Sequence, residues 1–126
     1  MEKIVFGVGM SMPVRPDKRK AAEDFLGRVL GCTKTSHSDQ YTCFRFQNGQ
    51  IIGITPEPEA PSEEEYERST WLELVTDDFE ATKMRIKKFG VREVAGGMKD
   101  AYFFNLPGGA VFRLLSQEMA KKEHGL

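Results

Sequence analysis

The chain has 126 residues, 40% hydrophobic and 29% charged, with a formal net charge of -1. That suits a single folded domain with its own core and argues against a disordered tail. A charge so balanced leaves no electrostatic footprint for nucleic acid, and no apolar run approaches the ~20 residues that cross a bilayer.

The first residues, MEKIVFGVGMSMPVRP, lack a long apolar stretch followed by a small-residue cleavage site, so no secretory signal is expected. Cys32 and Cys43 lack a C-x-x-C spacing and fit reduced thiols, so the expected location is cytoplasmic. Lys3, Ile4, Val5, Phe6 and Val8 read as the start of a strand near 3–11. Met10 and Met12 alternate along it as pliable core filling. Gly7 and Gly9 do not make a phosphate-binding glycine motif, because Met12 stands where the third glycine is needed.

A helix is expected over RPDKRKAAEDFLGRVLG, where Ala22, Phe25, Leu26, Val29 and Leu30 form one stripe, Pro16 opens the first turn and Gly31 closes the last. Strands follow near 33–37, 41–47 and 50–55, with Phe44 and Phe46 as core and Arg45 on the opposite side. The stretch PEPEAPSEEEYERS has almost nothing to bury and reads as a solvated acidic linker over 57–68. After a strand near 69–76, DDFEATKMRIKKFG repeats the helical pattern with Phe79, Thr82, Ile86 and Phe89, a cap at Asp77 or Asp78, and a stop at Gly90. Strands near 92–95, 101–105 and 110–116 complete the chain, and His124 falls in a tail.

One order is thus written twice: strand, helix, three strands. An offset of about 60 pairs Phe44 with Phe104, Gly49 with Gly109, Ile51 with Val111 and Ile54 with Leu114. The expectation is an α+β domain of two βαβββ modules, about 1–56 and 69–118, in which strands curl around a central cup and helices lie outside.

Three segments carry a family resemblance. AEDFLGRVLGC, DDFEATKMRIKKFGV and FFNLPGGAVFRLL resemble, in order, the helix ends and closing hairpin of the vicinal oxygen chelate superfamily, which includes glyoxalase I, bleomycin resistance proteins and extradiol dioxygenases. The resemblance implies a divalent metal held by His and Glu from the first and last strand of each module. At those places this chain has Gly7, Gly53, Trp71 and Arg113. Glycine has no ligand atom, indole only donates, and a guanidinium repels a cation. No metal site and no cofactor are therefore expected; only His37 could seed an unrelated site. Nor does any serine or cysteine have a base at readable spacing, so no catalytic residue is assigned.

Arg113 is the anomaly, a charge on an otherwise apolar strand. If Pro107 and Gly108 are the centre of a two-residue turn, Tyr102 lies opposite Arg113 and Phe104 opposite Val111. The cup would then hold Trp71, Glu73, Tyr102, Phe104 and Arg113. Arg113 and Glu73 either satisfy each other and plug the cavity, or Arg113 offers its donor fork to an anionic or aromatic ligand, or Arg113 faces solvent on another register. The resemblance implies a metal-independent binder of a small organic molecule, and a homodimer. Two other readings stay open: a lyase or isomerase with Glu73 as base and Arg113 as oxyanion partner, and an interaction protein whose cup is filled.

Overall fold

The computed structural model describes residues 2–96 and 100–125. Its strands form two four-stranded sheets. In the first, β1 (Gly9–Val14) lies beside β4 (Ile51–Pro56), then β3 (Thr42–Arg45) and β2 (Thr33–His37). In the second, β5 (Trp71–Thr76) lies beside β8 (Val111–Ser116), then β7 (Ala101–Asn105) and β6 (Glu93–Val94). The two sheets have the same order, and in each the first strand runs parallel to the fourth. The duplicated βαβββ plan is thus present, but as two sheets rather than one curled sheet. Among the described residues β1 and β5 are both outer strands.

Between β1 and β2 the helical segment begins with a 3₁₀ turn, Pro16–Lys18, continues as α1 (Arg19–Asp24) and ends in a wide π turn, Phe25–Val29. Ala22, Phe25, Leu26 and Val29 form the buried stripe, and Gly31 leaves the helix at φ +73. The matching helix α3 (Phe79–Phe89) is capped by Asp78, whose carboxylate accepts the Ala81 N–H at 3.1 Å, and stops at left-handed Gly90. Both helices pack on the same side of the sheets. Phe25 touches Phe89 and Phe104, with ring centroids 5.3 and 5.6 Å away, and one core holds Met12, Phe44, Ile54, Ile86, Phe104 and Leu114. At about 25 cal/mol per Å² of apolar area, burial of such side chains is the main source of stability.

Three segments depart from the sequence expectation. β1 starts at Gly9, and residues 2–8 make no strand of their own; Ile4 and Phe6 are 86% and 102% exposed. The acidic linker is docked. It contains α2 (Glu63–Tyr66), capped reciprocally by Ser62 and Glu65, and it buries Ala60 and Tyr66. The tail is a helix, α4 (Gln117–His124), capped by Ser116, whose hydroxyl accepts the Met119 N–H, and ended by Gly125 at φ +70.

The phenol of Tyr66 donates to the Pro13 carbonyl at 2.6 Å and so ties the linker to the end of β1. Tyr66→Phe leaves that buried carbonyl without its donor and is expected to cost about 1 kcal/mol, read from urea unfolding; an unchanged midpoint would show the linker is not held there.

Candidate functional site

The β7–β8 hairpin decides which side chains meet. Pro107 and Gly108 do occupy a tight turn: Gly108 has φ +75, and the Leu106 carbonyl accepts the Gly109 N–H at 2.7 Å. The ladder closes one residue later, where the Leu106 N–H donates to the Ala110 carbonyl, so Gly109 belongs to the loop. That extra residue moves the pairing by one and exchanges the faces. Phe103, not Tyr102, lies opposite Arg113, and Phe104 lies opposite Phe112 rather than Val111.

Two of the five expected site residues are thereby relocated. Tyr102 and Phe104 stack on each other in the core on the helix side, 5.6 Å between centroids. Burial, reinforced by the nearby Glu93 carboxylate, pushes the Tyr102 phenol pKa far up, and the Lys83 and Lys87 ammonium groups lie 5.5 and 5.7 Å from its ring. Trp71, Glu73 and Arg113 share the other face with Phe103, Val111 and Leu115. We call this side, turned away from α1 and α3, the cup face. Trp71 meets Phe103 edge-on at 5.0 Å, donates its indole N–H to the Glu67 carbonyl at 3.1 Å, and stays 44% exposed.

Arg113 sits directly across the parallel ladder from Glu73. Its Nη2 donates to Glu73 Oε1 at 2.8 Å, and its Nη1 lies 2.9 Å from Glu123 Oε1 on α4. His124, also on α4, places Nε2 at 2.9 and 3.1 Å from the two oxygens of Glu73. Helix α4 thus folds back over the cup face of the second sheet. Desolvation alone would raise the Glu73 pKa, but the hydrogen bonds from His124 and Arg113 outweigh it and hold the carboxyl below its usual 4.5. Sequence reasoning missed Phe103, Glu123 and His124. Phe103 was hidden by the one-residue slip, while Ser116 and Gly125 were cap signals for the helix that carries the other two.

Of the four positions compared with metal ligands, Gly7 and Trp71 are not the cross-strand neighbours of the other two. The residue facing Gly53 across β1–β4 is Ser11, not Gly7, and the residue facing Arg113 is Glu73, not Trp71. Ser11, Gly53, Glu73 and Arg113 do not fit a divalent cation: they offer one carboxylate, already bound to a guanidinium. Elsewhere, His37 packs 3.6 Å from Glu23, whose carboxylate accepts from Arg19 and Thr42 at 2.9 and 2.7 Å and so braces α1 against β3. Burial raises the Cys32 thiol to about 11, an inert thiol rather than a nucleophile. On the first sheet the cup face is open, with Ser11 and Arg45 exposed. A cleft of about 830 Å³ separates the two sheets, lined by Met10, Phe46 and Ile52 on one side and by Leu72, Leu74 and Phe112 on the other.

No protein-family model matches the chain, and no curated protein matches it in sequence. Solved structures do match it along nearly its whole length. A fosfomycin resistance protein, FosX, from Listeria monocytogenes, complexed with Mn(II) and sulfate, is 14% identical with a TM-score of 0.73, covering 97% of this chain and 99% of that one. TnmS3, an antibiotic binding protein from Streptomyces sp. CB03234, is 20% identical with a TM-score of 0.68, covering 92% and 98%. A possible glyoxalase from Bacillus cereus is 17% identical with a TM-score of 0.68, covering 86% and 96%.

Because the Glu73 carboxyl is held low, its contribution to docking α4 is fully present above pH 4.5 and is lost as the pH falls through the depressed value. Hydrogen exchange of the α4 amides is expected to quicken selectively as the pH is lowered through that window, once corrected for intrinsic rates. Uniform exchange across the chain would show that the cluster does not hold the helix.

Proposed function

From the premise that this chain has the vicinal oxygen chelate fold, we propose that it binds a small organic anion on its cup face without using a metal. The observation that carries the reading is the setting of Arg113: a planar donor fork on an apolar strand face, with Trp71 and Phe103 beside it and Glu73 as counter-charge. The four ladder positions compared with metal ligands lack the donors for a cation, which supports metal independence. TnmS3 binds an antibiotic on a similar fold, whereas the FosX complex holds Mn(II), so the fold alone does not choose between them. The lyase or isomerase reading is weaker: a carboxylate held below its usual range, with both oxygens engaged, is a poor base.

The chain works as a homodimer in this proposal. Among the described residues both parallel pairs leave an outer strand with an unpaired edge, a template that proteins ordinarily cover. Beside β1 the segment before Gly9 exposes Ile4, Val5, Phe6 and Val8, and beside β5 runs the cleft between the sheets, with mixed polar and apolar walls. A second copy supplies what covers them.

Two measurements test these readings. Elemental analysis of untreated protein is expected to find far less than one transition-metal ion per chain, and a stoichiometric value would overturn metal independence. Arg113→Gln is expected to weaken binding of benzoate at least about tenfold, followed by fluorescence of the single tryptophan, Trp71; undiminished affinity would take Arg113 out of the site. For the dimer, light scattering is expected to return twice the 14.3 kDa chain mass, and a monomer at micromolar concentration would refute it.

A further inference from the structure

Helix α4 has little hold of its own on the sheet beneath it. Among its eight residues Ala120 is buried, and a helix of this length is marginal in isolation. Among the described residues its last turn is fastened by Glu123 on Arg113 and His124 on Glu73. The Glu73 and Glu123 carboxylates on Arg113 are not equivalent. Glu73 belongs to the neighbouring strand, fixed in register by the ladder, and His124 holds it from the other side. Glu123 reaches Arg113 from the last turn of a short polar helix. One contact is built into the sheet and the other is exchangeable.

We infer that Glu123 occupies the place of the ligand's acid group, and that the ligand is a small monocarboxylate with an aromatic or apolar body. It displaces the Glu123 carboxylate from Nη1 of Arg113 and lays its body against the exposed part of Trp71. This inference rests on the proposed binding role of the cup face and names the ligand class for that same site.

Charge selects the class. Exchanging one carboxylate for another leaves the charge around Arg113 unchanged, so the swap carries little electrostatic cost. A phosphate monoester brings about -1.5 to -2 near neutral pH and sets the surplus beside Glu73, which already takes up the guanidinium's charge. Geometry does not choose, because a guanidinium binds carboxylates and phosphates alike, so the selection rests on charge. Phe103 stands directly across the ladder from Arg113, and Trp71 lies on the same face two residues before Glu73 with much of its ring uncovered. Trp71 thus offers apolar area on the same face as the fork, and the buried Phe103 ring backs it. The side chains of Arg113, Glu73 and Glu123 are 20%, 28% and 30% exposed, so solvent reaches the contact and the exchange needs no unfolding of the core.

The test titrates benzoate and phenyl phosphate into the full chain, its Glu123→Gln and Arg113→Gln variants, and Glu118→Gln as a control on the exposed side of the same helix. Trp71 fluorescence reads binding, and hydrogen exchange reads α4. The expected results are benzoate preferred over phenyl phosphate, about fivefold tighter benzoate binding by Glu123→Gln, no change in Glu118→Gln, and faster α4 exchange when benzoate is present. Arg113-dependent benzoate binding that Glu123→Gln leaves unchanged, or equal affinity for phenyl phosphate, overturns the surrogate role of Glu123 while the site itself stands. Absence of Arg113-dependent binding of either probe overturns both.

Discussion

A guanidinium on an apolar strand face persists only if a carboxylate meets it, and here the meeting is arranged by the backbone. The parallel pairing of β5 with β8 puts Glu73 across from Arg113, two side chains from strands far apart in sequence. Without that ladder the positive charge would lie among Trp71, Phe103 and Val111 with no counter-charge from the sheet, at a desolvation cost that apolar contacts do not return. With it, the charge is retained and its donor fork remains in reach of solvent. The C-terminal helix then uses the same pair as its mooring.

The first sheet shows what the position can become when no charge is needed. At the ladder place equivalent to Glu73 and Arg113 stand Ser11 and Gly53, and a Cβ on Gly53 would come within 2.9 Å of the Ser11 hydroxyl. The two halves thus share a backbone and a helix-side core while their cup faces have diverged. One is open, with Ser11 and Gly53 at the matching place, and the other is charged, aromatic and roofed.

Much of this was legible before any coordinates. The helices over Ala22–Val29 and Phe79–Phe89 announced themselves through apolar spacing, a capping aspartate and glycine stops, all of them local signals. The module order followed from the same signals repeated. The hairpin was legible only in part: Pro107 and Gly108 revealed the turn, but whether Gly109 belongs to the loop or the ladder is decided by packing on both faces at once. That single residue sent Tyr102 and Phe104 to the core and brought Phe103 to Arg113. Helices α2 and α4 are short and polar, so periodicity was silent, although Ser62 with Glu65, and Ser116 with Gly125, spelled their ends. The separation of the strands into two sheets depends on long-range pairing that no local pattern encodes.

The parallel ladders carry a consequence for how the molecule is made. In each half the opening strand has as its partner the closing one, Gly9 with Ile51 and Trp71 with Val111, so a long stretch of chain must be looped before either ladder can begin. During synthesis β1 leaves the ribosome with its hydrogen-bonding groups open until β4 arrives, while β3 and β4 can already zip together as a hairpin. Loop-closure entropy therefore favours the hairpins assembling before the parallel seams. The Glu73–Arg113 contact belongs to such a seam, so loop-closure entropy opposes its forming ahead of the hairpins.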